Sequence, residues 1–335
     1  MQDSDAVKVF VTHNPEDLEA YYGRALPELE ALVDVSLNPL DRDLSSTELI
    51  DAAAGCEVIV AHRATGGDAA LFEALPQLTA FLRCAVDIST IDVDAASSHG
   101  VLVARADKSF VASTAELALG LLLATSRQIA TATMDYRNGI EPPQYPGDQL
   151  SGSTAGIIGY GAIGSYLAGL LVAIGMDVLV ADPLVADVAS PARRVELTEL
   201  LSSADVVFPL AQAAPDTENM IGAAQLAEMK AGATLINVSR GELLDEEAVL
   251  DALVSGHLRG VGLDVGRAAD QRPSVALARH PRVVATPHLG GLTPQNADAQ
   301  AASSVEQVRA ILAGSMPPRS VNPEHAHRLH GFWTG

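Results

Sequence analysis

The chain has 335 residues, 48% of them hydrophobic, and a formal net charge of −21. That length exceeds one ordinary core, so two domains are expected, and the apolar fraction excludes disorder. Lys8, Lys108 and Lys230 are the only lysines, so the chain repels nucleic acid and anionic membranes, and its charge serves solubility first.

The start, MQDSDAVKVF, is acidic and has no basic segment ahead of an apolar core, so no secretion signal is expected. Apolar runs such as 117–124 stop well short of a membrane span. Cys56 and Cys84 alone make no disulfide framework, which fits a reducing cytoplasm. Segments 7–12 and 57–62 read as buried parallel strands. Between them 46–55 reads as a helix, capped by Ser46 or Thr47 and stopped at Gly55. Further strands are expected at 78–86 and 100–106, with a short helix over 92–100. A long helix over 113–139 follows, capped by Ser113 or Thr114, then a loop rich in proline and glycine over 141–153. Strand–helix alternation resumes near 155 and persists to 288, and a last helix spans 294–314. Two α/β units are implied, with the last helix free to return to the first.

Gly156 to Gly164 reads GIIGYGAIG. A lone Gly-x-Gly-x-x-Gly is weak, but here it follows an apolar strand and opens a helix. Gly159 permits the tight turn, Gly161 lets backbone approach a pyrophosphate, and Gly164 lets helix lie close to strand. The N–H groups at the helix start, at Ala162 and Ile163, would face the phosphates. A second strand over 176–182 ends in Asp182, placed to accept hydrogen bonds from the adenosine ribose and to repel a 2′-phosphate. NAD is therefore the expected cofactor, with NADP disfavoured.

The stretches LINVSRGELLDEEAVLDAL (235–253), GVGLDV (260–265) and TPHLGGLTPQ (286–295), with ASTAELALGLLLA earlier, occur together in order. On these motifs the chain resembles the D-isomer-specific 2-hydroxyacid dehydrogenases over nearly its whole length. The resemblance implies two doubly wound parallel-sheet α/β domains. A Rossmann NAD domain (109–293) would be inserted in a split, flavodoxin-like substrate domain (1–108 and 294–335). It implies hydride transfer to or from C2 of a D-2-hydroxyacid or 2-keto acid, in a homodimer joined near the long helix. Arg240 would orient the substrate carboxylate and carbonyl through its planar fork. His288 would act as acid–base. Asp264 would hold the nicotinamide carboxamide, Val238 and Ser239 would touch the same ring through backbone, and Gly290 and Gly291 would line the cofactor. The other histidines of this half, His257 and His280, read as structural.

Two departures stand out. The family places a glutamate five residues after the aspartate of LDV, paired with the catalytic histidine. Here that position is Ala269, followed by Asp270, and the hypothesis is that Asp270 substitutes. In the first domain the family's glycine-rich carboxylate loop is replaced by AVDISTID, so Ala85, Val86 and Asp87 line the expected substrate site. Arg105 would neutralise Asp87, and His62 and Arg63 would complete the pocket. An altered substrate such as a sugar acid, or an NAD-binding scaffold with vestigial chemistry, are the alternatives. No Cys/His/carboxylate cluster has metal-ligand spacing along the chain, so no metal is expected.

Overall fold

The computed structural model describes residues 6–334. The first five residues, on which the reading of the acidic N-terminal stretch partly rests, lie outside that range. The chain divides into two compact units, one formed by the residues up to Ser109 with those from Pro294 onward, the other by Phe110–Thr293.

The first unit holds β1 (Lys8–Val11), β2 (Asp34–Leu37), β3 (Val58–Ala61), β4 (Ala80–Arg83) and β5 (Leu102–Arg105). They form a parallel sheet in the order β2-β1-β3-β4-β5. The inner strands, KVFV, VIVA and AFLR, are mostly apolar because a parallel sheet is covered on both faces. Successive side chains alternate between those faces. Val9, Val11, Val58, Val60 and Leu82 meet Ala301, Val305, Val308 and Ile311 of the helix Pro294–Leu312. Phe10, Ile59 and Phe81 pack on the other side with Leu49 and Phe72. The edge strand β2, DVSL, is largely exposed and carries no apolar run. The helix Ser46–Ala52 is capped by Ser45, one residue before the expected caps, because a capping box with Glu48 satisfies backbone N–H groups at both ends of that turn.

The second unit holds β6 (Thr154–Ile158), β7 (Asp177–Ala181), β8 (Arg193–Arg194), β9 (Val206–Pro209), β10 (Ala233–Asn237), β11 (Leu258–Leu263) and β12 (Val283–Ala285). All run parallel in the order β12-β11-β10-β9-β6-β7-β8, which reverses direction at the β6–β9 pair. The single long helix expected over 113–139 is two helices, Val111–Ser126 and Ile129–Arg137. Gln128 between them has φ 52°, a left-handed residue that ends one helix and redirects the next. The expected caps also fail: the first of these helices starts after Phe110 with no side-chain cap, Ser113 donates back to the Phe110 carbonyl, and Thr114 is buried.

Candidate active site

The glycine-rich turn joins β6 to the helix Ala162–Ala173 at the sheet's reversal point. Its three glycines have separate reasons. Gly159 sits at φ 100°, and a Cβ there would lie 2.8 Å from the backbone of Leu210 and Ala211. A Cβ on Gly164 would lie 2.2 Å from the Gly159 carbonyl oxygen, so glycine alone lets this helix rest on its strand. Gly161 differs: a Cβ there meets no heavy atom within 4 Å, and its φ of −74° suits any residue. The chain's own packing does not require glycine there, and open space above the turn is what an approaching pyrophosphate needs. Ala162 is exposed and Ile163 half-buried at the helix start, where N–H groups lack intrahelical partners. Asp182, one residue past β7, accepts the N–H groups of Tyr160 (2.7 Å) and Leu184 (2.8 Å). These bonds tie the acid to the glycine turn and leave each carboxylate oxygen a further lone pair for a ribose hydroxyl. The residues present fit NAD.

Arg240 and His288 stand at the carboxyl ends of β10 and β12, with β11 between them. The register pairs Asn237 with Leu263 and Leu263 with Ala285, so each functional residue lies three positions beyond a paired one. Two inter-strand spacings separate the strand ends, about 10 Å. A ladder of hydrogen bonds spans that distance. The buried Asn237 side chain donates to the Arg240 carbonyl (2.8 Å) and accepts the Ser239 N–H (3.0 Å). The Asp264 N–H donates to the Asn237 carbonyl (2.9 Å), and the His288 N–H donates to the Asp264 carbonyl (2.9 Å). Gly241 closes the Arg240 turn, where a Cβ would sit 2.3 Å from the backbone of Gly266. The Arg240 side chain is exposed, with one contact to the Ser239 carbonyl, and its fork is open to a ligand.

Several expected roles change. Asp264 is fully buried rather than turned to a ligand. Its carboxylate accepts Thr286 Oγ1 (2.6 Å) and the N–H groups of Leu289 (2.7 Å) and Gly290 (2.7 Å), so it braces the loop that carries His288. Gly290 is consumed in the same brace: it is buried, its N–H is spent on Asp264, and a Cβ would lie 3.0 Å from that carboxylate. Gly291 beside it is half-buried. The Ser239 N–H is likewise spent on Asn237, its hydroxyl goes to the Ala211 carbonyl (3.0 Å), and Val238 is buried. Asp270 does not bring its carboxylate to His288. That side chain is exposed and lies 3.6 Å from Arg272. Its main-chain carbonyl instead contacts His288 Nδ1 at 2.9 Å. The backbone explains the exchange, since Asp270 and Gln271 both have φ 56°, which turns the carbonyl inward and the side chain out. A carbonyl only accepts, so Nδ1 carries hydrogen, and the neutral ring has its lone pair on Nε2. His288 itself has φ 62°, a strained conformation of the kind concentrated at functional positions.

In the first unit, Ala61, Arg83 and Arg105 are in register across β3, β4 and β5. The expected substrate residues therefore share one sheet edge: Arg63 is exposed, Ala85 buried, Val86 and Arg105 half-buried, and Asp87 exposed. Asp87 accepts the Ser89 N–H (2.9 Å), and its charge favours the buried guanidinium of Arg83. Arg83 was missed by the sequence reading. It is fully buried and donates to the carbonyls of His62 and Thr65 and to Thr90 Oγ1, which pins two loops of this edge. Burial, the largest influence, lowers its pKa to about 10. A polar residue ending a hydrophobic strand was the only signal available. Cys84 is buried, and burial pushes its thiol up to about 12, so it is no nucleophile.

Residues 119–290 match the family model described as D-isomer specific 2-hydroxyacid dehydrogenase, NAD binding domain. The chain is 38% identical over 280 residues to the D-3-phosphoglycerate dehydrogenase of Mycobacterium leprae, covering 82% of this chain and 53% of that protein. It spans about half the length of the phosphoglycerate dehydrogenases it matches, with shares of 48–54%. It is 33% identical over 282 residues to the hydroxypyruvate reductase of Thermotoga maritima, covering 83% of this chain and 90% of that one. Among solved structures, the TT0316 protein from Thermus thermophilus aligns with a TM-score of 0.82 at 31% identity, over 94% of this chain and 100% of that one. D-2-hydroxyisocaproate dehydrogenase shares the fold, with a TM-score of 0.83 at 22% identity over 94% and 99% of the two chains.

Proposed function

This chain belongs to the D-isomer specific 2-hydroxyacid dehydrogenase family, and from that premise we propose that it reduces a short 2-keto acid, or oxidises the matching D-2-hydroxyacid, with NAD. The observation that carries the reading is the hydrogen-bonded ladder from Arg240 through Asn237 and Asp264 to His288. It ties the backbones of Arg240 and His288 together at one sheet edge, in the domain that has the open glycine turn. The bound nicotinamide supplies or accepts the hydride at C2. The exposed fork of Arg240 binds the substrate carboxylate and polarises the neighbouring carbonyl. His288, held by the Asp270 carbonyl at Nδ1, gives a proton from Nε2 to the carbonyl oxygen, or takes it back in the reverse direction. In the first unit, Arg63, Val86, Asp87 and Arg105 are the candidate substrate residues. The relatives support a phosphoglycerate-like or hydroxypyruvate-like acid. Exposed Asp87 in the first-unit loop favours a substrate that carries hydroxyls.

We place the enzyme in the cytoplasm as a homodimer. Met134 and Tyr136, on the helix Ile129–Arg137, are 57% and 68% exposed, which supports a buried partner face. No helix among the described residues is long and apolar enough to cross a membrane. The test is NADH oxidation across a panel of 2-keto acids. Arg240→Ala is expected to lower kcat/KM by about a hundredfold or more, since a charged bidentate contact is lost, while NADH binding is unchanged. Silence across the panel with NADH still bound would leave an NAD-binding scaffold instead.

A further inference from the structure

We propose that the first unit carries a binding site for a divalent first-row transition-metal ion, held by Asp17, Asp43 and His62 at the carboxyl edge of the five-stranded sheet. These residues are distant in sequence, and the fold gathers them. In the order β2-β1-β3-β4-β5, the chain leaves β1 toward β2 on one side, while β3 and its successors lie on the other. The gap beyond the ends of β1 and β3 is the place where open parallel sheets bind ligands. His62 directly follows β3, Asp17 lies in the short helix Pro15–Asp17 after β1, and Asp43 lies in the loop after β2.

One oxygen of each carboxylate and one imidazole nitrogen lie within 4.8 Å of one another. His62 Nδ1 is 3.6 Å from Asp17 Oδ2 and 3.8 Å from Asp43 Oδ1. These separations are too long for hydrogen bonds, and His62 Nδ1 has no hydrogen-bond partner although it is buried. They are close to the spacing of donors around one ion: bonds of about 2.1 Å at tetrahedral angles put neighbouring donors about 3.4 Å apart. Asp17 is already oriented for the task, because Asn14 Nδ2 donates to Oδ2 (2.8 Å) and Asn14 Oδ1 accepts the Asp17 N–H (2.9 Å). Outer partners of this kind fix ligand orientation in metal sites.

A second observation points the same way. His13, two residues past β1, is 1% exposed, and its Nδ1 has no partner. Its ring lies between those of Tyr22 and His62, at centroid distances of 4.9 and 5.1 Å. A buried, unpaired ring nitrogen packed against a second unpaired imidazole calls for a polar partner, which an ion held through His62, or a water on that ion, would supply. The nearby guanidiniums do not fill that role: Arg42 forks onto Glu48, and Arg83 is spent on carbonyls and Thr90. One imidazole with two carboxylates is a borderline donor set, suited to Zn²⁺, Co²⁺ or Mn²⁺ rather than to Ca²⁺, which takes oxygen alone. Bound there, the ion would clasp the loops after β1, β2 and β3 together. His62 was also expected in the substrate pocket beside Arg63, but Arg240 and His288 take no part, and ion binding is read without turnover.

The experiment is titration of the full chain, first stripped with chelator, with Co²⁺ followed by visible absorption and with Zn²⁺ followed by calorimetry. One ion per chain is expected, with Co²⁺ d–d bands of a low-symmetry nitrogen–oxygen site. Asp43→Asn alters a side chain that is 52% exposed, so the fold is retained. It should weaken binding by roughly tenfold or more. Asp94→Asn, at an exposed acid elsewhere in this unit, should leave binding unchanged. Absence of stoichiometric binding, or equal affinity in wild type and Asp43→Asn, overturns the proposal and leaves a histidine flanked by two carboxylates.

Discussion

Substituting alanine at Gly161 and at Gly164 should separate cofactor binding from folding. At Gly164 the added methyl would sit 2.2 Å from the Gly159 carbonyl oxygen, against the 3.4 Å at which ordinary contact begins. Neither backbone can swing away, so the helix Ala162–Ala173 must lift from β6. That lift loosens Leu167, Ala168 and Leu171, which are buried against Ile157 and Val180. Overpacking of this kind costs ~1–3 kcal/mol, or a melting point lower by roughly 2–12 °C for a unit of this size. At Gly161 nothing lies within 4 Å, so Gly161→Ala should melt within about 2 °C of wild type, as surface changes do. Its methyl occupies the space left for the pyrophosphate, and NADH affinity should fall at least about tenfold, or ~1.4 kcal/mol. Differential scanning calorimetry and NADH fluorescence titration read the two effects. If Gly161→Ala binds NADH within about twofold of wild type, the open turn is not the pyrophosphate cradle.

Three further outcomes follow from the geometry. Asp264→Asn keeps the size of the brace but presents an amide to the N–H of Leu289 or Gly290, costing ~3 kcal/mol; a thermal melt unchanged from wild type would refute the brace. Asp270→Asn retains the residue type that tolerates φ 56° and removes only an exposed pair with Arg272, so kcat/KM should stay within about twofold and the acidic limb of the pH–rate profile should not move. A moved limb would mean that the carboxylate, not the carbonyl, serves His288. The Cys84 thiol is pushed from 9.0 to about 12 by burial. Its folded pKa is raised, so its contribution is complete below pH 9 and is lost as pH climbs toward 12, by ~2 kcal/mol near pH 10.5. Denaturant titrations at pH 8 and near pH 10.5 should show a smaller loss in Cys84→Ala than in wild type.

The central strands were legible because double-sided burial writes itself as runs such as VIVA at 58–61. The glycine turn was legible because its sterics are local. β2 was not, since an edge strand facing solvent has no apolar signature. The break at Gln128 was hidden because a single left-handed residue leaves the helical periodicity on either side intact. At the candidate site, Arg240 and His288 could be proposed from motif position, whereas the hydrogen bonds that hold Asp264 and the outward carboxylate of Asp270 could not be read there. Motifs count side chains, and the decisive atoms at 270 belong to the main chain. The cluster of Asp17, Asp43 and His62 has no fixed spacing in sequence and exists only through the crossover of strands.

The contact between His288 and the carbonyl of residue 270 has a consequence for how this chain can change. A partner made of main chain cannot be deleted by exchanging one side chain, so position 270 can vary among residues that accept φ 56°, such as Asn and Gly, while the tautomer of His288 is preserved. What can break the arrangement is a shift of the chain path, through proline, an insertion or a deletion between 266 and 273. Tolerance at the residue and intolerance in the loop's length and shape should therefore mark this segment in any mutational survey.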